Sequence, residues 1–337
     1  MTSDVGIYTR CDSKYFPGLV SLINSLQRTG HHFPIYLVDT GLTEDQLKFI
    51  AKLGDARVTR PKFDHYSLDT SKASRYNTTV FAGLEITFPD HEVIVHLDAD
   101  AVVLDSLDPL IQAAVEHGFA ATGEIPPSNM KTHFWGMPEV TGRALRDVER
   151  ADQTSAYQAI TERFGPLDEE SITFNSGIWA TRRNYYADRM RPVLNFIKDY
   201  HREIWGLEQA MLNIAAFYAN PEEPFREVGS RFNSRAEYSY FNDHFSASGY
   251  RIASPRVLTN LAIARENPWH KVRLNGVGGS IAVLHFVWKP KPWEAPSSLW
   301  EVWEFFADMT PDWRSVASPE GGSAIIPATN SEGWVSL

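Results

Sequence analysis

Apolar residues recur along the chain with two alternating periods, and the alternation predicts a strand–helix–strand order. Val5 to Thr9 is a short apolar run, and Phe16 to Gln27 then places Phe16, Leu19, Val20, Ile23 and Leu26 at helical spacing. A second run, Pro34 to Thr40, predicts a buried strand. Gly41 follows, then a helix that Thr43 can cap, with Leu47, Ile50 and Leu53 on one face. This order implies a parallel sheet covered by helices. Residues 70 to 88 give another helix, and Glu92 to Leu97 is a central strand that runs straight into Asp98. Gly118 to Gly123 and Ile172 to Thr181 predict further strands, residues 184 to 203 and 206 to 219 two helices, and Ser280 to Val287 the last strand.

Between these elements, segments 125–170 and 220–279 are rich in Pro, Asn, Gly and charge, and read as irregular insertions over a scaffold. From about Ser315 the chain carries Pro-Glu-Gly-Gly-Ser and few periodic apolar positions, which predicts a loosely packed tail over 315–337. The expectation is therefore one α/β domain over residues 1–314, without internal repeats.

Composition narrows the function. Hydrophobic residues make up 43 % of the 337 and charged residues 22 %, ordinary globular usage. Ten tryptophans are many, and flat rings suit core packing as well as stacking on sugar or base faces. A net charge of -10 argues against a nucleic-acid partner, whose affinity would rest on a basic face. An anionic substrate would need local compensation from a divalent cation and a few Lys or Arg side chains. Cys11 is the sole cysteine, which leaves no intrachain disulfide or thiolate metal cluster and fits a reducing compartment. The first residues lack the pattern of a signal peptide, and no run reaches the length of a membrane span. The expectation is a soluble, cytoplasmic protein, its oligomeric state open.

Chemistry gathers at strand ends, where open α/β sheets bind ligands. Asp98-Ala99-Asp100 follows the central strand, and alternate residues there can aim two carboxylates at one point. Such hard oxygen ligands suit Mg²⁺ or Mn²⁺ carrying a diphosphate, although an acidic turn gives the same tripeptide. His285 also ends a strand and precedes Lys289, Lys291 and Trp293. An imidazole ligand beside phosphate-binding ammonium groups and a core histidine are both consistent with that segment.

Taken together, these residues resemble the retaining family 8 glycosyltransferases, the group of glycogenin and the lipopolysaccharide galactosyltransferases, over about residues 4 to 293. The resemblance implies a GT-A fold, a Rossmann-like, mostly parallel sheet flanked by helices. Thr9, Asp12 and Tyr15 resemble the family's nucleotide-contacting residues, and Asp98 and Asp100 match its Asp-x-Asp motif, with Ala99 beside the donor. His285-Phe286 and Lys291-Pro292-Trp293 match its His-Phe and Lys-Pro-Trp pair, implying His285 as third metal ligand and Lys291 on the diphosphate. Glu124, Asn175 and Ser176 correspond to sugar contacts. Glu208-Gln209 resembles the family's Asp-Gln pair near the anomeric carbon, and either residue could face it. Two departures stand out. Trp288 replaces a frequent Gly, and Ala82 stands where the family carries a Lys or Arg, a role that Lys72 or Arg75 would have to fill.

The implied activity is metal-dependent transfer of a sugar, with retention, from a UDP-hexose to an acceptor hydroxyl. Phe134, Trp135 and Trp269 are candidates for an acceptor cleft. Two other readings share parts of the pattern: a nucleotidyltransferase on a related scaffold, and a non-catalytic nucleotide-sugar or carbohydrate-binding protein.

Overall fold

The computed structural model describes residues 4–59, 91–124, 128–131, 147–200, 204, 207–236, 251–252, 274–275, 281–287, 290–295, 299–317 and 335–336. In chain order the strands are β1 (Val5–Cys11), β2 (Ile35–Asp39), β3 (Ala56–Thr59), β4 (Val93–Leu97), β5 (Ala101–Val103), β6 (Phe119–Gly123), β7 (Phe174–Arg182), β8 (Arg226–Glu227), β9 (Ser234–Arg235), β10 (Arg251–Ile252), β11 (Leu274–Asn275), β12 (Val283–His285) and β13 (Val335–Ser336). The principal helices are α1 (Phe16–Arg28), α2 (Glu44–Leu53), α3 (Asp108–His117), α4 (Asp147–Phe164), α5 (Arg191–Ile197), α6 (Leu207–Ala219), α7 (Trp300–Ala307) and α8 (Trp313–Val316). The chain divides into two compact units: Met1–Asp4, Lys62–Ile94 and Leu110–Glu227 form the first, and Val5–Pro61, Val95–Pro109 and Val228–Leu337 the second. The expected helix over 70–88 lies outside the described residues.

In the second unit β1, β2 and β3 pair in parallel, with Ile7 opposite Ile35 and Ile35 opposite Ala56. The antiparallel β13 closes the β3 edge, pairing Val335 with Val58. The connections are the helices that the apolar spacing predicts. Before α1, the Asp12 carboxylate accepts the Lys14 and Tyr15 N–H groups, and Pro17 occupies the first turn, where a missing N–H costs nothing. Leu19, Val20, Leu22, Ile23 and Leu26 are buried along α1, and each contributes roughly 1.5–3 kcal/mol of apolar transfer. Thr43 caps α2 with its hydroxyl on the Gln46 N–H while Gln46 returns its side-chain oxygen to Thr43 N–H, a reciprocal box. Helix α7 is tied to α1 by Ser21 Oγ donating to the Trp303 carbonyl at 3.0 Å and Asn24 Nδ2 to the Phe306 carbonyl at 2.8 Å. A separate sheet in this unit runs β5-β12-β9, with β12 antiparallel to β5 and parallel to β9.

In the first unit β6 pairs antiparallel with β7 and parallel with β8. At the start of β7, Asn213 fastens helix α6 to the strand. Asn213 accepts the Phe174 N–H at 2.8 Å and donates to the Phe174 carbonyl at 2.9 Å, which fixes the register of everything else on α6 against β7.

Two expectations need correction. The segment 125–170 is not wholly irregular, because α4 runs over 18 residues within it. Among its described side chains Ala156 and Ile160 are the buried ones, and most of the helix is polar, so no apolar stripe marks it in the sequence. The helix expected over 184–203 is interrupted. A π-turn spans Tyr186–Met190 immediately before α5, whose first turn holds Pro192, and the wider turn accommodates a residue that cannot donate a backbone bond.

Candidate active site

The described site residues fall into two groups, each inside one unit. In the second unit β4 ends at Leu97, and the chain turns through Asp98-Ala99-Asp100 with Ala101 N–H bonded to the Asp98 carbonyl at 3.0 Å. It then re-enters β5, whose antiparallel partner β12 places His285 opposite Ala101. Phe286 N–H bonds the Asp100 carbonyl at 3.0 Å and locks the two strand ends together. One oxygen of each aspartate and His285 Nε2 consequently lie within 4.8 Å of one another. Two carboxylate oxygens and an imidazole nitrogen form a donor set that fits Mn²⁺ or Mg²⁺.

Each of the three side chains is also held from its other side. His285 donates Nδ1–H to the Asn233 side-chain oxygen at 2.9 Å, which leaves Nε2 directed at Asp100 Oδ1, 3.2 Å away. Asp98 Oδ1 meets His96 Nε2 at 3.1 Å and Arg10 Nη2 at 3.7 Å, while its Oδ2 faces His285 Nε2 at 3.7 Å. Asp100 Oδ2 accepts from Lys291 Nζ at 2.6 Å. Burial pushes the Asp98 carboxyl up, but the His96 hydrogen bond and the neighbouring Arg10, His96 and His285 outweigh it and hold the group well below the usual carboxylate range. Burial likewise pushes the Lys291 ammonium down, and Asp100 reverses this, so Lys291 stays charged although only 2 % of it is exposed.

Around this centre Lys291 Nζ also donates to the Val287 carbonyl at 2.7 Å and stands 5.5 Å from the Tyr15 ring centroid. Tyr15 meets the edge of Trp293, which continues through Trp303 to Trp313 with 5.7 Å between successive centroids. Glycine is required at position 18, since a Cβ there would stand 2.5 Å from the Ala99 carbonyl and 2.7 Å from the Trp293 ring. The Asp-x-Asp turn, α1 and the Lys-Pro-Trp segment therefore pack on one spot. Toward the end of β1 the Thr9 hydroxyl is buried with no hydrogen-bond partner among the described residues, an arrangement that costs about 1–3 kcal/mol unless a ligand or water meets it.

The second group lies in the first unit. Gln209 on α6 donates its amide to the Glu124 carboxylate, and its oxygen accepts Asn175 Nδ2 at 3.0 Å and the Ser176 N–H at 3.4 Å. Asn175 Oδ1 turns back to the Gly177 N–H at 3.1 Å. Glu208 is half-buried one position earlier on the helix, and Gln209 is the residue joined to both Glu124 and Asn175. Lys72, Arg75, Phe134, Trp135, Trp269 and Trp288 lie outside the described residues.

Three residues packed around Asp98, Asp100 and His285 escaped the sequence reading. Asn233 sits in a segment read as irregular and carries no pattern. Arg10 and His96 are polar interruptions of apolar strands, and a buried charge or ring inside a strand was the available signal.

Comparison with known proteins bears on most of the chain. The structure of a galactosyltransferase, LgtC, in complex with donor and acceptor sugar analogues aligns with 92 % of this chain and 99 % of its own at 17 % identity and a TM-score of 0.55. The bifunctional glycosyltransferase WbbM aligns with 94 % of this chain at 15 % identity and a TM-score of 0.59, the match covering 51 % of WbbM. GlyE of Streptococcus pneumoniae TIGR4 gives 94 %, 15 % and 0.52, over 62 % of its length. No curated protein matches by sequence. These likenesses give the GT-A fold, and the sequence profile described as Glycosyl transferase family 8 matches residues 6–296, so the chain belongs to that family and is a glycosyltransferase.

Proposed function

We propose that the chain transfers a hexose from a UDP-sugar to an acceptor hydroxyl, with retention and with the help of Mn²⁺ or Mg²⁺. The observation that carries this reading is the convergence of Asp98, Asp100 and His285, from a β4–β5 turn and the end of β12, on one point. Asp98 and Asp100 would hold the cation, and His285 would supply the third ligand. When bound, the cation neutralises charge on the diphosphate leaving group. Lys291 brings a fixed ammonium to the same anion. Tyr15 and the Thr9 hydroxyl at the end of β1 are assigned to the nucleoside, together with Asp12, whose carboxylate also organises the first turn of α1.

Sugar contacts are proposed for Glu124, Asn175, Ser176 and Gln209. Their mutual hydrogen bonds are of the kind a hydroxyl-rich ligand can replace one for one. Gln209, rather than Glu208, is proposed as the group beside the anomeric carbon, because its amide is already oriented by Glu124 and Asn175. An amide oxygen there can steady a positively charged sugar without becoming a permanent covalent partner. Incubation of the protein with a panel of UDP-hexoses and Mn²⁺, followed by measurement of free UDP, tests the reading. Slow hydrolysis of one donor supports it. Pyrophosphate release from a nucleoside triphosphate would favour a nucleotidyltransferase, and donor binding without turnover a binding protein.

A further inference from the structure

The metal cluster carries two positive charges of its own. Lys291 Nζ lies 2.6 Å from Asp100 Oδ2, and Arg10 Nη2 lies 3.7 Å from Asp98 Oδ1. Arg10 is a guanidinium inside β1, with its side chain only 10 % exposed, between Thr9 and Cys11 on a strand whose other residues are all buried. A charge in that position is retained only against partners, and the Asp98 carboxylate lies beside it. Two aspartates are thus balanced by one ammonium and one guanidinium, each on the carboxylate oxygen directed away from His285.

We propose that Arg10 is a donor-site residue which neutralises Asp98 until a cation and a diphosphate arrive together, an inference that rests on the nucleotide-sugar reading above. A divalent ion entering alone would add two charges beside aspartates that each already face a cation, and would be repelled by the guanidinium across a poorly screened distance. A diphosphate anion removes that excess and offers Arg10 an oxyanion to bind, for which a planar guanidinium is well suited. The cation and the nucleotide therefore bind cooperatively, and Arg10 sets much of the coupling.

The test is calorimetric titration of the full chain with Mn²⁺ alone, and with UDP at saturating Mn²⁺, for the wild type, Arg10→Met and Arg10→Lys. In the wild type UDP strengthens Mn²⁺ binding. Arg10→Met is expected to bind Mn²⁺ alone about 10-fold more tightly and UDP about 10-fold more weakly, the crossed pattern of a lost positive charge. Arg10→Lys keeps the charge and is expected to stay within about 3-fold of the wild type for Mn²⁺ alone. Should Arg10→Met lose its cooperative melting transition, Arg10→Gln replaces it with the same crossed expectation. Both affinities unchanged, or both weakened, overturns the proposal, the second result marking Arg10 as a prop for Asp98. A wild type that binds neither Mn²⁺ nor UDP overturns the nucleotide-sugar reading itself and the inference with it.

Discussion

The Asn233 side-chain oxygen lies 2.9 Å from His285 Nδ1 and accepts its proton, which leaves Nε2 to face the aspartates. Partners of this kind orient a metal-ligating imidazole and raise its basicity. Asn233→Ala is expected to weaken Mn²⁺ binding by about 10- to 100-fold while the melting temperature changes little. Asn233→Asp, which keeps an oxygen acceptor, should recover part of the loss. Equal Mn²⁺ affinity in the wild type and Asn233→Ala, measured by calorimetry, would show that Asn233 does not position His285 for a cation.

Gly18 is the contact between α1 and the Asp-x-Asp turn. A methyl group there meets the Ala99 backbone at 2.5 Å, and backbone cannot rotate away as a side chain can. Gly18→Ala is expected to cost about 1–3 kcal/mol of stability through overpacking and to displace the turn. Denaturant titration reads the first effect, and reduced Mn²⁺ affinity in the folded variant reads the second. A fully stable Gly18→Ala with unaltered metal binding would contradict the packing described.

Much of this was legible in the sequence, for identifiable reasons. Strands β1, β2 and β4 are largely apolar runs, and α1 and α2 carry apolar stripes at helical spacing, because a parallel sheet under helices demands both patterns. Asp98, Asp100 and His285 could be named because each follows such a run. Asn233 could not be, because its partner is 52 residues away and the strand β9 beside it is two residues long. Nor could α4, whose polar surface lacks a stripe, or the π-turn, whose cause at Pro192 lies inside an otherwise helical pattern. Local periodicity records burial on a regular element, and pairings through single side chains leave no such trace.

A pH effect follows from His31. Its Nε2 accepts the Leu107 N–H at 3.1 Å, so the native ring is neutral, and burial pushes its pKa below the ordinary 6.5. The unfolded chain then binds the extra proton first. Stability is level for this group above 6.5 and falls as the pH drops from there toward the lowered native value. The loss is at most about 1.4 kcal/mol per pH unit. Denaturation midpoints at about pH 7.5 and about pH 5.5 should decline in the wild type and decline less in His31→Asn, whose side-chain oxygen can still accept the Leu107 N–H. Parallel declines in the two proteins would mean that His31 is not the group responsible.

The central claim is that Asp98, Asp100 and His285 act as one cation site in sugar transfer. Asp100→Ala removes an oxygen from that site and also the partner of Lys291. The most direct measurement is the rate of UDP release from the preferred UDP-hexose, with Mn²⁺ and with chelator, for the wild type and this variant. Release is predicted only for the wild type with Mn²⁺, with a reduction in Asp100→Ala of at least about 100-fold and a preserved melting transition. Equal, chelator-insensitive release by both proteins would contradict the account.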